Sequence, residues 1–505
     1  MKNFILILCL ATFSQWVYAQ NKQITGRVVD TKGEAAIGAS ILEKGTTNGT
    51  ITDFDGNFKL TVGPKAVLQI SYIGYKTQEI PVANKTKLNI TMEEDTEVLD
   101  EVVVVGYGAQ KKESVVGAIS QVSSKELLKS PAANISQAIA GKISGVITSQ
   151  TSGAPGADDM KIYIRGRASF AGDNQPLILV DGVEREFSQI APDDIESIST
   201  LKDASATAVY GVRGANGVVI VTTKRGKAGK LTVNFKTNAT YSYSPRMPEY
   251  VDAVGYANLA NEARVVRGKN PIYTNSEIQL FRSGLDPDLY PNVDWMQTLF
   301  KDFSNTTRVN INVTGGSPKI RYYVGGSFYS EGSVFNISDK DRYDASMRYN
   351  KFSFRSNIDI NVTSSTELSL SLSNQYETKN RPYGSLSDLY AYMIRTSPIA
   401  TPTIYSDGTL AKPSTGTNPY NSLNNSGYSQ DFFNNAQSLI SLTQDFSKMV
   451  TPGLKANVKF SWDAYNAHTL NRIVTPSTYY ATGRDEEGNL DFVRSTEGSD
   501  YMKLT

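Results

Sequence analysis

From residue 229 onward the chain alternates. Leu231, Val233, Phe235, Thr237, Ala239, Tyr241 and Tyr243 fall on one face of an extended segment, with Thr232, Asn234, Lys236, Asn238, Thr240 and Ser242 on the other. A period of two held this long fits a β-strand with unlike faces and no helix. The pattern returns at 352–362, 368–372 and 454–464, where Lys455, Asn457, Lys459, Ser461 and Asp463 take the second face. Two architectures produce it: a soluble antiparallel sheet with one wet face, or the staves of a membrane barrel, apolar outside and polar within. Alternation by itself favours the soluble sheet.

The start of the chain shifts that balance. Residues 1–19 carry Lys2 as their one charge, an apolar run from Phe4 to Phe13, and a small-x-small ending at Val17-Tyr18-Ala19. This is the layout of a cleaved export signal, with Gln20 as the mature start. The run is roughly 10 residues, short of the roughly 20 that a spanning helix needs. No second apolar run is long enough either, so entry into a membrane would have to be as a β-barrel. Cys9 is the single cysteine and leaves with the signal, which removes disulfides, thiolate chemistry and cysteine metal sites; Leu8 and Leu10 beside it fit lipoprotein cleavage poorly. Cleavage takes one of 51 basic residues and none of 50 acidic ones, a balance that gives no reason to expect nucleic acid. The basic tract Lys224-Arg225-Gly226-Lys227-Ala228-Gly229-Lys230 reads as a solvated hinge.

Between signal and alternating region the composition divides the chain. Residues 20–95 read as a small all-β domain, with apolar runs at 24–29, 39–42, 58–62, 67–73 and 88–92 separated by turn residues. Asp53-Phe54-Asp55-Gly56-Asn57 lacks the spacing of a calcium loop and reads as a tight Asp-Gly hairpin turn. Residues 96–112 form an acidic tether leading into four valines, Val102 to Val105. Residues 113–228 mix the two periods. Ser130-Pro131 precedes a helical stretch through Ile135, Ile139 and Ile143; strands are expected at 161–165, 177–180, 195–201 and 217–223, with a turn of helix at 204–210. Gly214, Gly217 and Gly226 suit turns and close packing, since no strand here leads into a nucleotide-binding glycine fingerprint.

Three stretches then occur in a telling order: DEVVVVGYG (Asp100 to Gly108), PLILVDGV (Pro176 to Val183) and LKDASATAVYGVRGANGVVIVTTKRGK (Leu201 to Lys227). They resemble the TonB-box region, mid-plug segment and plug-closing signature of SusC/RagA-type TonB-linked outer-membrane transporters. Residues 20–95 resemble the carboxypeptidase-regulatory-like domain often found ahead of that plug. Tyr290-Pro-Asn-Val-Asp294-Trp295 resembles a recurrent segment after the first barrel strand. The likeness extends over nearly the whole chain. It implies an all-β plus α+β fold: an N-terminal β-sandwich, an α+β plug at 113–228, and the first part of an antiparallel transmembrane β-barrel at 229–505. It further implies an outer-membrane location, TonB with ExbB/ExbD as periplasmic partner, a SusD-like surface lipoprotein as lid, and import of oligosaccharides or peptides. About eight candidate strands follow residue 229, against about 22 in plugged transporters. The end, Tyr501-Met-Lys-Leu-Thr505, also lacks a terminal aromatic residue, so the barrel is expected to be incomplete and the chain a fragment or truncated reading frame. A siderophore or vitamin receptor would share plug and barrel but not the closing signature and N-terminal domain. An exported β-rich adhesin would leave the valines and plug motifs without a role.

No enzyme, cofactor or metal chemistry is expected. His468 is the single histidine and reads as a surface or girdle residue; G-x-S-x-G and G-x-x-x-x-G-K-[ST] do not occur. Asp158-Asp159 and Asp193-Asp194 are adjacent pairs that face no common bond, and the second reads as a turn or helix-start cap. The expected site is a partner-binding strand: Asp100, Glu101, Val102, Val103, Val104, Val105, Gly106, Tyr107 and Gly108. A β-branched run on a mobile tether can add to the sheet edge of a periplasmic partner through main-chain hydrogen bonds. Trp295 is a weaker candidate for stacking on a ligand, with an anchor in loop packing the preferred reading.

Overall fold

A computed structural model describes residues 22–31, 33–64, 66–72, 75–83, 85–93, 102–105, 108–111, 119–129, 134–166, 174–338, 343–499 and 503–504. The expected export signal, most of the expected acidic tether and Ser130-Pro131 lie outside these. The chain divides into two compact units, described in turn.

The N-terminal unit is a two-sheet sandwich. Its strands are β1 (Lys22–Val29), β2 (Ser40–Glu43), β3 (Gly49–Ile51), β4 (Asn57–Val62), β5 (Val67–Ser71), β6 (Gln78–Pro81) and β7 (Lys87–Thr91). One sheet runs β4-β1-β7 and the other β3-β2-β5-β6. Strict alternation in β4 and β7 turns Phe58, Leu60, Val62, Leu88 and Ile90 into one core shared with Ile24, Val28, Ile41, Leu68 and Ile70. The expected hairpin at Asp53–Asn57 is corrected. Asp53 Oδ1 does accept from the amides of Asp55 (3.0 Å) and Asn57 (2.8 Å), and Gly56 supplies φ +78°. However, β3 and β4 lie in different sheets, so the turn carries the chain across the sandwich. Local turn chemistry was legible; the sheet each arm joins depends on the shared core.

Next, β8 (Val102–Val105) and β9 (Gly108–Lys111) pair as a separate two-stranded sheet.

The central α+β unit contains β10 (Ile119–Ser123), β11 (Val146–Gln150), β12 (Met160–Ile164), β13 (Leu177–Val180), β14 (Val183–Glu184), β15 (Ile195–Leu201) and β16 (Val218–Thr223). Its main sheet has the order β10-β15-β16-β13-β14, with β13 and β16 parallel. β16 is apolar on both faces because both are covered. Val219 and Val221 join Ile135, Ile139, Ile162 and Ile198 on one side, while Val218 and Ile220 join Leu177, Leu179 and Leu201 on the other. The helix expected after Ser130-Pro131 is one turn, Ile135–Ala138, with Asn134 at its N-cap position. That expected at 204–210 is Ala204–Thr207, continued as a 3₁₀ segment to Gly214.

Beyond it stands the wall: β17 (Gly229–Ser242), β18 (Ser304–Gly316), β19 (Ile320–Gly332), β20 (Arg348–Asn361), β21 (Thr366–Pro382), β22 (Gly427–Asp445) and β23 (Lys455–Ile473), antiparallel neighbours in chain order, with β26 (Lys503–Leu504) pairing at the end of β23. Between β23 and β26 a separate hairpin forms from β24 (Thr478–Arg484) and β25 (Leu490–Thr496). Links at one end are short (317–319, 362–365, 446–454), whereas those at the other are long (243–303, 333–347, 383–426), the first and last of them carrying helices. Outer-membrane barrels show the same asymmetry of short turns and long outer loops.

The two faces of this sheet invert the soluble rule. Phe352 (48% exposed) and Phe354 (49%) point outward, whereas Lys351 (4%), Arg355 (2%), Asn357 (0%) and Asp359 (4%) on the same strand are buried. Leu372, Ile440 and Leu442 extend the exposed apolar face across β21 and β22, and the tilted rings of Phe328, Phe352 and Tyr376 lie side by side across β19 to β21. An apolar outside around a polar inside is what a lipid-facing wall requires. Among the described residues, no helix is long and apolar enough to cross a membrane.

Gly226 lets the chain leave the central unit close to the wall. A Cβ there would overlap the backbone N, C and O of Tyr322. Gly226→Ala should cost about 1–3 kcal/mol, because main-chain atoms cannot rotate away as a side chain can. A lower melting temperature of the purified protein checks this, and an unchanged one would refute it.

Candidate functional site

The polar inner face of the wall is where the central unit rests. Alternation places Tyr323 and Gly325 of β19 and Arg355, Asn357 and Asp359 of β20 on that face, in register. Asp194 reaches them from the short Pro192–Asp194 turn: its Oδ1 accepts from the Tyr323 hydroxyl at 2.8 Å, and Arg355 Nε stands 3.4 Å from Oδ2. Gly325 leaves the room, since a Cβ there would lie 2.7 Å from Tyr323 Oη and 3.0 Å from Asp194 Oδ1. Burial pushes the Asp194 carboxyl above its ordinary pKa, against the pull of the Arg355 guanidinium and the Tyr323 hydroxyl. Arg308 lies 4.0 Å from Asp193.

Further contacts follow the same seam. Asn357 donates to Thr223 Oγ1 (3.0 Å) and the Lys224 carbonyl (2.6 Å), and Arg225 pairs with Asp359 at 2.6 Å. Lys351 Nζ donates to the Ser188 carbonyl at 2.6 Å. Arg185 grips Asp463 with Nε and Nη2 at 2.8 and 2.7 Å. The VDGV segment closes β13 onto β14 through Asp181 (φ 51°) and Gly182 (φ 89°), the left-handed pair of a two-residue hairpin turn. Asp181 then accepts from the Thr223 amide and hydroxyl, and its carbonyl accepts from Lys459 Nζ at 2.9 Å.

These positions revise several expectations. The basic tract is not a wholly solvated hinge: Lys224 Nζ donates to the Asp193 carbonyl (2.6 Å) and Arg225 is paired, while Lys227 and Lys230 are exposed. Asp193-Asp194 is more than a cap, since both side chains are buried against the wall. Asp158 is also buried, accepting from Asn134 at 2.8 Å and Gln137 at 2.6 Å; burial raises its pKa despite those donors. His468 lies exposed on the outer face, stacked on Phe432 at 4.5 Å. Trp295 is 5% exposed within a loop core formed with Met296, Leu299, Leu389, Met393 and Leu423, and its Nε1 donates to the Ser397 carbonyl at 3.3 Å. In the valine box, Val102 to Val105 form β8 and Gly108 opens β9. Asp100, Glu101, Gly106 and Tyr107 lie outside the described residues. Arg185 and Arg355 were not singled out from the sequence, and Asp194 was read there only as part of a turn or helix-start cap. For Arg355 a signal was present, because Lys351, Arg355 and Asp359 share one strand face at a spacing of four.

Residues 24–104 match the CarboxypepD_reg-like domain family and residues 111–218 the TonB-dependent Receptor Plug Domain family. The chain is 35% identical over 375 residues to the TonB-dependent receptor SusC of Bacteroides thetaiotaomicron, covering 72% of this chain and 35% of that protein. It is 35% identical over 348 residues to the TonB-dependent receptor P26 of Formosa agariphila, covering 68% of this chain and 33% of that one. The chain thus spans about a third of the length of these curated relatives. Among solved structures, the RagAB peptide importer in its open-open state superposes with a TM-score of 0.60 at 24% identity, over 76% of this chain and 44% of that one.

Proposed function

We propose, on the premise that this chain belongs to the SusC/RagA family of TonB-dependent receptors, that it forms the plug and adjoining wall of an outer-membrane importer of oligomeric nutrients. The observation that carries this reading is the inverted wall with a folded unit seated on its polar face. Such a wall is costly in water and suited to lipid, and a plug held by polar contacts can exchange them for water when pulled. In this reading residues 1–19 direct export, residues 20–95 fold as a separate sandwich, residues 96–112 form the tether, residues 113–228 are the plug and residues 229–505 begin the barrel.

Asp100, Glu101, Val102, Val103, Val104, Val105, Gly106, Tyr107 and Gly108 present the strand that TonB, driven by ExbB/ExbD, takes up by β-addition. The long-loop end of the wall receives a SusD-like lipoprotein lid. Oligosaccharides are the favoured cargo, in keeping with the amide and hydroxyl groups of the inner face, and peptides are the alternative. Val103→Pro removes a strand donor and should abolish binding of the full-length receptor to the purified TonB C-terminal domain, leaving the plug folded. Undiminished binding, or uptake by cells lacking TonB, would overturn the assignment. Parallel uptake assays with labelled oligosaccharides and peptides decide the cargo.

A further inference from the structure

Of the cavities between plug and wall, one of about 580 Å³ lies along β17 and β18, and two others follow a single pair of strands, β22 and β23. The outer, about 510 Å³, is lined by Glu186 and Ser188 of the plug and by Gln375, Asn435 and Tyr465 of the wall. The inner, about 440 Å³, is lined by Asp181 of the plug and by Leu439, Ser441, Asn457 and Lys459. Along β22 the inward positions run Asn435, Gln437, Leu439, Ser441; opposite them on β23 stand Tyr465, Asp463, Ser461 and Lys459. One rung, Gln437 with Asp463, therefore separates the cavities.

The plug closes on that rung. Arg185, its side chain 3% exposed, holds the Asp463 carboxylate with two nitrogens and reaches the Ser438 carbonyl at 3.4 Å. Gln189 Oε1 accepts from Gln437 Nε2 at 3.0 Å. Neither Arg355 nor Asp194, the deeper seat of the plug, lines either cavity.

We infer that the Arg185–Asp463 clasp, with Gln189–Gln437 beside it, is the gate of a solute path running between plug and wall along β22 and β23. This rests on the reading of the chain as part of an importer. Releasing one rung joins two cavities that already exist. The lining favours a neutral, hydroxyl- or amide-rich solute, because the Arg225 and Arg321 charges that also line the inner cavity are neutralised by Asp359 and Glu367 at 2.6 Å each. Asp159, Glu186 and Glu377 repel anions at the outer cavity, and Lys379 Nζ lies 4.9 Å over the Phe433 ring, on an aromatic surface a cation would otherwise use. Asn435 Nδ2, in that cavity wall, is buried without a hydrogen-bond partner among the described residues.

The test is passive potassium chloride conductance of the full-length receptor in planar bilayers, without TonB. The wild type should be closed. Arg185→Ala and Asp463→Ala should each raise conductance at least about tenfold as the open population grows. Arg185→Asp combined with Asp463→Arg should close it again, which also shows that the variants fold. Asn357→Ala, loosening the plug against β20, should stay closed. Closed single variants would overturn the gate, and equal conductance in Asn357→Ala would mean release of the whole plug instead of a local path. Sucrose should block the open variants and citrate should not; equal block would remove the assignment of solute chemistry. Because no TonB is present, failure here is distinguishable from failure of TonB-dependent uptake.

Discussion

Replacing Phe354 by arginine should destabilise the wall by about 2–4 kcal/mol, the cost of a cation on the lipid-facing side of a barrel stave. Phe354 is 49% exposed on β20, between the aromatic row at Phe352 and the aliphatic rows at Ile358 and Ile360. If water covered this face, an exposed site with so few contacts would change stability by no more than about 0.5 kcal/mol. The two environments thus predict different magnitudes for one substitution. Denaturant unfolding of the full-length receptor in phospholipid vesicles measures it, and a change below about 0.5 kcal/mol would argue against a lipid-facing wall.

Arg355→Met should weaken the seating of the plug by about 3–5 kcal/mol, because it leaves the Asp194 carboxyl buried without its cation. Asp194→Asn in the same protein should recover most of the loss, since removing both charges removes the unpaired one and the amide oxygen still accepts from Tyr323. The pH dependence has a definite sign. Burial raises the folded-state pKa of Asp194 above its unfolded value, so the folded state favours the acid form. The group's contribution is fully present below the unfolded pKa, about 3.9, and is lost as pH rises through the folded one. The Arg355→Met penalty should therefore be smaller in acid than at neutral pH. Limited proteolysis of the plug at pH 4 and pH 8 reads this out, and equal sensitivity of variant and wild type at both would show that the pair does not seat the plug.

Much of the architecture was legible in the chain because it depends on local periodicity. Long alternating runs anticipated β17, β20 and β23, and the stretches at 177–180 and 195–201 coincide with β13 and β15. Turn chemistry was equally readable at Asp181-Gly182, where two left-handed residues meet the demand of a tight hairpin. Helix boundaries in the central unit were less so, since one-turn helices carry little periodic signal and their ends are set by packing.

By itself the sequence determined the strand-rich wall with unlike faces and the motifs that mark the family. These follow from the order of residues along the chain. Tertiary structure decided which polar residues matter to one another. Arg185 and Asp463 are 278 positions apart, and Asp194 and Tyr323 are 129 apart. No local pattern ties such partners together. Their pairing arises from the register of antiparallel strands and from the seating of a separately folded unit against them. For the same reason Asp193-Asp194 resembled an ordinary solvated turn: the cost of burying a charge, and the arginine and tyrosine that offset it, exist only once the wall is assembled around it.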